Sequence, residues 1–228
     1  MQVKVHFEGR ATLFHVENPK DHIQSFHARG SFYEVRQLLL HRDMIPMRST
    51  VLDIGANVGN HTLFYAMHTS ASRVYPFEPN PVAHRLLELN ISINSNCRAT
   101  IDTRHSHFGI ARAVGSAQPD QADINNLGGT RLRLLANADG DTIECVPLDQ
   151  LDFEGRIGFI KIDVEGMEID VFAGAVKTID KFRPIIAVEV SERNEPDFWR
   201  WLRHTKYEII SLFYDYFGVK TYVAIPIC

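Results

Sequence analysis

The sequence predicts an α/β fold of the Rossmann-like class, a mostly parallel sheet with helices on both faces. From Ser49 onward, short runs of β-branched residues alternate with helix-length amphipathic segments, which is typical of βαβ units. The strand runs are almost continuously apolar, as expected when helices cover both faces of a sheet. Most of them end in an acidic residue or a glycine, at the edge where such sheets bind ligands.

Residues 1–48 are expected to form a hairpin and a helix that pack on a main domain, residues 49–228. The hairpin is predicted around Glu8–Arg10, and the helix runs from Phe32 to His41. In the main domain, strand and helix segments follow one another as STVLDI, NHTLFYAMH, RVYPFE, NPVAHRLLELNISIN, RATIDT, GFIKIDV, EIDVFAGAVKTI, PIIAVEV and EPDFWRWLRH. YEIISLF and TYVAIPI then predict a closing antiparallel pair.

The helix after RVYPFE has a start signal and a clear period. Asn80 is a capping residue, and Pro81 occupies the first helical position. The apolar residues predicted to form its buried face are Val82, Leu86, Leu89 and Ile93.

Residues 104–142 break the alternation and are rich in small and polar residues. An irregular stretch of this length indicates a functional loop in a compact domain, so we expect a substrate-side insert. TRLRLLA and TIECVPL flank the turn-like Asn137–Asp141, which predicts a β-ribbon in its second half. Asn125–Thr130 offers amides that suit a polyhydroxylated acceptor.

Composition excludes several classes of protein. The chain has 228 residues, with 24 Lys and Arg against 28 Asp and Glu, and this balance argues against a nucleic-acid binder. No apolar run is long enough to span a membrane, and the N-terminus does not read as a signal peptide. Three cysteines without a CxxC pattern predict reduced thiols and a cytoplasmic location. Trp199 and Trp201 lie two apart on a helix, so one of them is a candidate homodimer contact.

The segment Val51–Asn60 runs from a strand through a Gly-x-x-x-Gly turn into a helix. It is neither the dinucleotide pattern, because Asn57 replaces the middle glycine, nor a P-loop. Asp53, at the strand end, would repel a pyrophosphate but attract a ligand that carries an ammonium and a sulfonium. S-adenosylmethionine is such a ligand.

Glu78 ends the next strand, where a carboxylate can accept hydrogen bonds from two ribose hydroxyls. Other residues of these turns, and a histidine after the third strand, are expected near the cofactor. The predicted cofactor-binding set is Asp53, Gly55, Ala56, Asn57, Gly59, Asn60, Glu78, Asn80 and His107. The alternatives are a nicotinamide-dependent oxidoreductase or epimerase, and a non-catalytic module that only binds the cofactor.

Four blocks carry a family resemblance: VLDIGANVGNHTLFYA, VYPFEPNP, FIKIDVEGMEIDVFAGA and PIIAVEV, in this order. From about Ser49 to Val190 the chain resembles the FkbM family of S-adenosylmethionine-dependent methyltransferases. The resemblance implies a seven-stranded Rossmann-like fold and O-methylation of a sugar, glycan or natural-product acceptor. It also implies that Asp53, Gly55, Asn57 and Gly59 border the methionine end of the cofactor.

Two strand ends carry the candidate catalytic acids Asp163, Glu165 and Glu189. A sugar hydroxyl is a poor nucleophile, so a carboxylate that takes its proton would assist the attack. Lys161 lies on the same predicted strand side as Asp163 and Glu165, and an ion pair with one of them is the structural alternative. A second alternative is that the three acids hold a magnesium ion, although nothing in the spacing requires a metal.

Overall fold

A computed structural model of the protein describes residues 1–119, 125–129, 131–135, 142–216 and 218–227. In chain order the strands are β1 Gln2–Phe7, β2 Arg10–His15, β3 Thr50–Ile54, β4 Arg73–Phe77, β5 Thr100–Ile101, β6 Gly109–Ile110, β7 Gly115–Pro119, β8 Leu132–Leu135, β9 Ile143–Val146, β10 Ile157–Ile162, β11 Ile185–Ser191, β12 Tyr207–Tyr216 and β13 Val219–Pro226. The α-helices are α1 His22–Ala28, α2 Val35–Met44, α3 Asn60–His68, α4 Pro81–Ser92, α5 Glu168–Gly174, α6 Val176–Phe182 and α7 Glu195–Thr205.

The main sheet has seven strands in the order β12-β13-β11-β10-β3-β4-β5. β11, β10, β3, β4 and β5 pair in parallel, whereas β13 is antiparallel to both β11 and β12. The predicted Rossmann-like fold is confirmed, including its antiparallel C-terminal end. The crossover between β3 and β10 brings the carboxyl ends of β4, β3, β10 and β11 side by side, and this edge holds the site described below.

Two apolar cores cover the two faces of the sheet, because successive strand residues point to opposite sides. Leu52 and Ile160 face α5, α6 and α7, whereas Val51 and Phe159 face α2, α3 and the hairpin. These strands are buried on both faces, which explains their nearly continuous apolar sequences.

Helix α4 begins where the sequence predicts, with Asn80 Oδ1 accepting from the amide of Val82 at 3.0 Å. Its predicted buried face is wrong, because Val82 is 49% exposed. The buried residues are Ala83, Leu86, Leu87 and Asn90. Asn90 is buried because its side chain accepts from His15 N of the hairpin at 2.7 Å and donates to Val58 O of the turn after β3 at 2.8 Å.

The insert forms a second, four-stranded sheet in the order β6-β9-β7-β8. The expected ribbon of β8 paired with β9 is wrong, because β7 lies between them and pairs antiparallel with both. The small residues of Gly115–Pro119 carried no alternating pattern, so this strand was not predicted. The expected turn at Asn137–Asp141 lies outside the described residues. The strands on either side of it, β8 and β9, are described.

The N-terminal segment forms the β1-β2 hairpin, α1 and α2. Asn94, just beyond α4, anchors the hairpin, since its side chain bonds both the N–H and the C=O of Leu13. Of the two tryptophans, Trp201 stacks on Phe172 with ring centroids 4.1 Å apart, while Trp199 is 41% exposed. Within the described residues, every helix is too short or too polar to cross a bilayer.

Candidate active site

A cavity of about 280 Å³ lies beyond the carboxyl ends of four adjacent strands of the main sheet. Gly55 follows β3, Glu78 follows β4, Asp163 follows β10 and Glu189 belongs to β11, and all four residues line the cavity. This is where open α/β sheets bind their ligands.

Gly55 forms the tightest point of the cavity wall. Its φ is +84°, and a Cβ added there would lie 1.8 Å from the carbonyl oxygen of Asp163. The amide of Asp163 in turn donates to Ile54 O at 3.0 Å, so the two strand ends are in direct main-chain contact. Only glycine combines this φ with this approach.

A buried lysine joins the same two strand ends. Lys161 Nζ donates to Gly55 O at 2.7 Å and lies 3.1 Å from Asp163 Oδ2 and 3.6 Å from Asp53 Oδ1. Burial opposes the charge of Lys161, but the carboxylates of Asp163 and Asp53 outweigh it and raise the lysine pKa above its usual range. The ion pair expected as a structural alternative is therefore present.

Asp53 faces away from the cavity. Its side chain is fully buried, and Oδ2 accepts from Thr62 Oγ1 of α3 at 2.5 Å. Burial raises the pKa of Asp53, while the charge of Lys161 and the Thr62 hydroxyl lower it. Lys161 compensates the charge of Asp53, and Asp53 is not among the residues that line the cavity.

Glu78 lies on the opposite side of the turn and does reach the cavity. Its Oε2 accepts from the amide of Asn57 at 2.8 Å and its Oε1 accepts from the amide of Asn80 at 2.9 Å. Burial raises the pKa of Glu78 to about 7, against the lowering effect of these two amide donors. Each carboxylate oxygen keeps a lone pair for a further donor, such as a ribose hydroxyl.

Three carboxylates converge on the other side of the cavity. Asp163, Glu165 and Glu189 each place an oxygen within 4.8 Å of the others. Burial and the charge of Asp163 raise the pKa of Glu165 to about 7. The same two causes hold the pKa of Glu189 well above its usual range. Like charges at this spacing favour the protonated form of some of these carboxyl groups, and oxygen ligands so placed also fit the magnesium alternative.

The remaining walls come from two segments distant in sequence. His22, Ile23 and Tyr33 reach the cavity from the N-terminal segment, and Leu127 and Gly128 from the insert. The two segments bond to each other, since His22 N donates to Asn125 O at 2.9 Å.

Of the predicted set, Gly55, Asn57, Glu78, Asn80, Asp163, Glu165 and Glu189 line the cavity. Asp53, Ala56, Gly59, Asn60 and His107 are not among its lining residues. The side chain of Asn60 forms hydrogen bonds with main-chain atoms of Tyr33 and with His27. Gly59 packs against Leu87, since a Cβ added to this glycine would lie 2.9 Å from Leu87 Cδ1. His107 is exposed, with its ring 4.2 Å from that of Phe108.

Sequence reasoning missed the apolar lining. Phe77, Phe108, Ile110 and Met167 border the cavity, and together with Glu78 they form a surface suited to a nucleoside. Phe108, which directly follows the predicted His107, is the residue of this segment that lines the cavity. A turn between Thr103 and Phe108 sets which residue faces inward.

Comparison with known proteins agrees with this geometry. The Methyltransferase FkbM domain matches residues 53–216. The hexuronic acid methyltransferase AglP of Haloferax volcanii is 25% identical over 192 residues, which are 82% of this chain and 74% of that protein. The tRNA wybutosine-synthesizing protein 2 homolog of Mus musculus is 26% identical over 188 residues, 74% of this chain. The chain spans only 39% of that mouse protein.

Among solved structures, the methyltransferase FkbM from Methylobacillus flagellatus KT has the same fold, with a TM-score of 0.56 at 18% identity. The likeness covers 77% of this chain and 43% of that one.

Proposed function

Since the chain belongs to the FkbM methyltransferase family, with S-adenosylmethionine as cofactor, we propose that it methylates a hydroxyl of a sugar, glycan or natural-product acceptor. The observation that carries the proposal is the division of one cavity into two chemically different ends. Glu78 and Phe77 lie at the carboxyl end of β4, whereas Asp163, Glu165 and Glu189 lie beside β10 and β11, with β3 between the two groups.

We assign cofactor binding to the first end. Glu78 would accept from the ribose hydroxyls, and the rings of Phe77 and Phe108 would border the base. The turn Gly55–Asn57 would border the methionine part through its main chain rather than through Asp53, which is turned away.

We assign proton transfer to Glu165. When bound, S-adenosylmethionine supplies a methyl group on a sulfonium, so the chain mainly has to align the acceptor and take its proton. Glu165 would take the hydroxyl proton as the acceptor oxygen receives the methyl group that the bound cofactor would supply. A pKa of about 7 suits a base that works near neutral pH. Glu189, whose raised pKa favours its protonated form, would donate a hydrogen bond to the acceptor.

A carbohydrate is the preferred acceptor for two reasons. AglP, whose name states a hexuronic acid substrate, matches over most of its own length, whereas the tRNA-related mouse protein matches over a minor part. The chain also carries a net charge of −4, which disfavours broad contact with a phosphate backbone.

Transfer of a labelled methyl group from S-adenosylmethionine to sugars, glycans and tRNA tests the proposal. We expect label in a carbohydrate fraction that Glu165→Gln reduces by about a hundredfold, since general base catalysis typically contributes that much. Glu144→Gln, an exposed glutamate of β9, is the matched control and should retain activity. Label only in tRNA, or full activity in Glu165→Gln, would contradict the acceptor or the base respectively.

Calorimetry separates cofactor binding from catalysis. S-adenosylhomocysteine should bind the wild type and Glu165→Gln alike, and NAD should bind neither. Tight binding of NAD without binding of S-adenosylhomocysteine would restore the oxidoreductase alternative.

A further inference from the structure

A second groove of about 360 Å³ adjoins the cavity on the side of the proposed base. Leu132, Glu165 and Met167 line both spaces, so the groove opens directly beside the carboxylate that takes the proton. We call it the arginine groove, because its remaining wall carries Arg131, Arg133 and Arg193.

The three arginines come from two unconnected parts of the chain. Arg131 directly precedes β8 and Arg133 is its second residue, and both line the groove. Arg193 lies in the turn after β11, with its guanidinium packed over Gly166. Convergence of separate segments on one groove is not a consequence of local sequence.

Arg131 and Arg193 supply the positive charge on which the groove depends, and Arg131 also acts on Glu165, whose pKa its charge lowers. Asp170 also lines the groove, but it pairs with Arg112 at 2.5 Å. Among the residues that the structure describes, no ion pair joins Arg131 or Arg193 to a carboxylate. The contact of Arg193 Nη2 with Gly166 O is long, at 3.3 Å, and leaves most guanidinium donors available.

We propose that the arginine groove binds an anionic group of the acceptor, so that the substrate is an acidic sugar bearing a carboxylate or a phosphate. Guanidinium groups match both anions through paired N–H donors. The proposal rests on the proposed function, because Glu165 defines where the reacting hydroxyl lies. An anion held in the groove would place a hydroxyl of the same or the adjacent sugar against Glu165. Arg131 and Arg193 attract a small anion locally, whereas the net charge of −4 disfavours a polyanion that would extend over the rest of the surface.

The test compares acceptors that differ only in charge. The probes are methyl β-glucuronide, a glucose phosphate and the neutral methyl β-glucoside, each titrated into the full-length protein saturated with S-adenosylhomocysteine. We expect the wild type to bind one of the two anionic sugars at least about tenfold more tightly than the glucoside. Which of them binds distinguishes a carboxylate from a phosphate group.

The double variant Arg131→Gln/Arg193→Gln should lose this preference while binding of the glucoside stays unchanged. Arg200→Gln is the matched control, because Arg200 is an exposed arginine of α7 that pairs with Asp197 outside the groove. Both variants remove surface charge, so a general charge effect would appear in both. Unchanged circular dichroism and S-adenosylhomocysteine affinity would show that the variants remain folded.

Each outcome decides between the inference and the function on which it rests. Equal binding of charged and neutral sugars, or retained preference in the double variant, would overturn the inference. So would methylation of tRNA without any binding of the anionic sugars. If an anionic sugar binds through the arginines but no sugar receives a methyl group, the proposed function fails and the arginine groove stands as an anion site.

Discussion

The two ends of the cavity are built in different ways. The cofactor end is fixed by main chain: Gly55 touches Asp163, and Lys161 ties the two strand ends together inside the protein. The acceptor end is formed by side chains of separate strands, Glu165 after β10 and Glu189 of β11. The wall that closes the cavity is also held by side chains, such as that of Asp21, whose carboxylate accepts from the amide of Leu127 at 3.1 Å. Damage at the cofactor end should therefore cost folding stability, while damage at the acceptor end should mainly change substrate binding.

Lys161→Met should have the largest effect, because it leaves Asp53 and Asp163 without their shared cation. Removing one partner from a buried ion pair costs about 3–5 kcal/mol, and urea denaturation would measure it. The double variant Asp53→Asn/Lys161→Met removes one stranded charge as well and should recover part of the loss. If the single variant does not fold, the stability of the double variant still tests the role of Lys161.

Lys220→Met is the control for the buried position. Lys220 pairs with Glu195 at 2.6 Å, but the ammonium faces water, so stability should change little. If the two lysine variants were equally stable, the buried lysine would not hold the cofactor end together.

Gly55→Ala should rank second, with a loss of at least about 3 kcal/mol from the left-handed backbone and the clash with Asp163 O combined. Gly9→Ala separates these terms, since Gly9 has a φ of +78° but no atom within 4 Å of an added Cβ. That control should lose only about 1–2 kcal/mol. Equal losses in urea denaturation would show that backbone strain alone, and not contact between strand ends, makes glycine necessary.

The cofactor end was largely predictable from the sequence because its determinants are local. The turn from Asp53 to Asn60 lies within a few consecutive residues, and its glycines indicate a turn of the backbone. Glu78 ends the next strand, so its position followed from strand order. The orientation of Asp53 did not follow, because it depends on Lys161, on another strand, and on Thr62 of the following helix.

The acceptor end was not predictable to the same degree, because its contacts join distant segments. β7 separates β8 from β9, although neither composition nor period marked it as a strand. Tyr33 reaches the cavity only because Asn60 bonds its main chain at both N–H and C=O. Tertiary packing decides which residues face such a cavity. The period of apolar residues in the sequence cannot specify that packing.

Glu78 allows a finer test of the cofactor end, through pH. Its folded pKa of about 7 lies above the ordinary 4.5, so the folded protein keeps the proton between these values and the contribution of Glu78 to stability falls as pH rises through them. The ionised form is the better acceptor for ribose hydroxyls. Between pH of about 6 and about 8 its population rises from about a tenth to about nine-tenths, so S-adenosylhomocysteine should bind nearly tenfold more tightly by calorimetry.

Two variants assign that pH dependence to a residue. Glu78→Gln should bind S-adenosylhomocysteine more weakly and with a flat pH profile. Glu165→Gln removes the other group whose pKa is about 7 and should keep the slope. A slope that vanished in Glu165→Gln instead would place the ribose contact at the wrong end of the cavity.

Asp21→Ala should have the smallest effect and tests the wall that closes the cavity. Asp21 caps α1 by accepting from Gln24 N at 3.0 Å and also accepts from Leu127 N, so its loss should cost about 1–2 kcal/mol. The same change should raise the acceptor KM, because His22 and Leu127 would no longer be held together at the cavity wall.

Asp149→Ala is the matched control, since Asp149 accepts from the amides of Lys177 and Thr178 at the start of α6, away from the cavity. It should lose similar stability in urea denaturation with an unchanged KM. Should both variants shift KM equally, acceptor binding would respond to global stability, and the separate role of the closing wall would not hold.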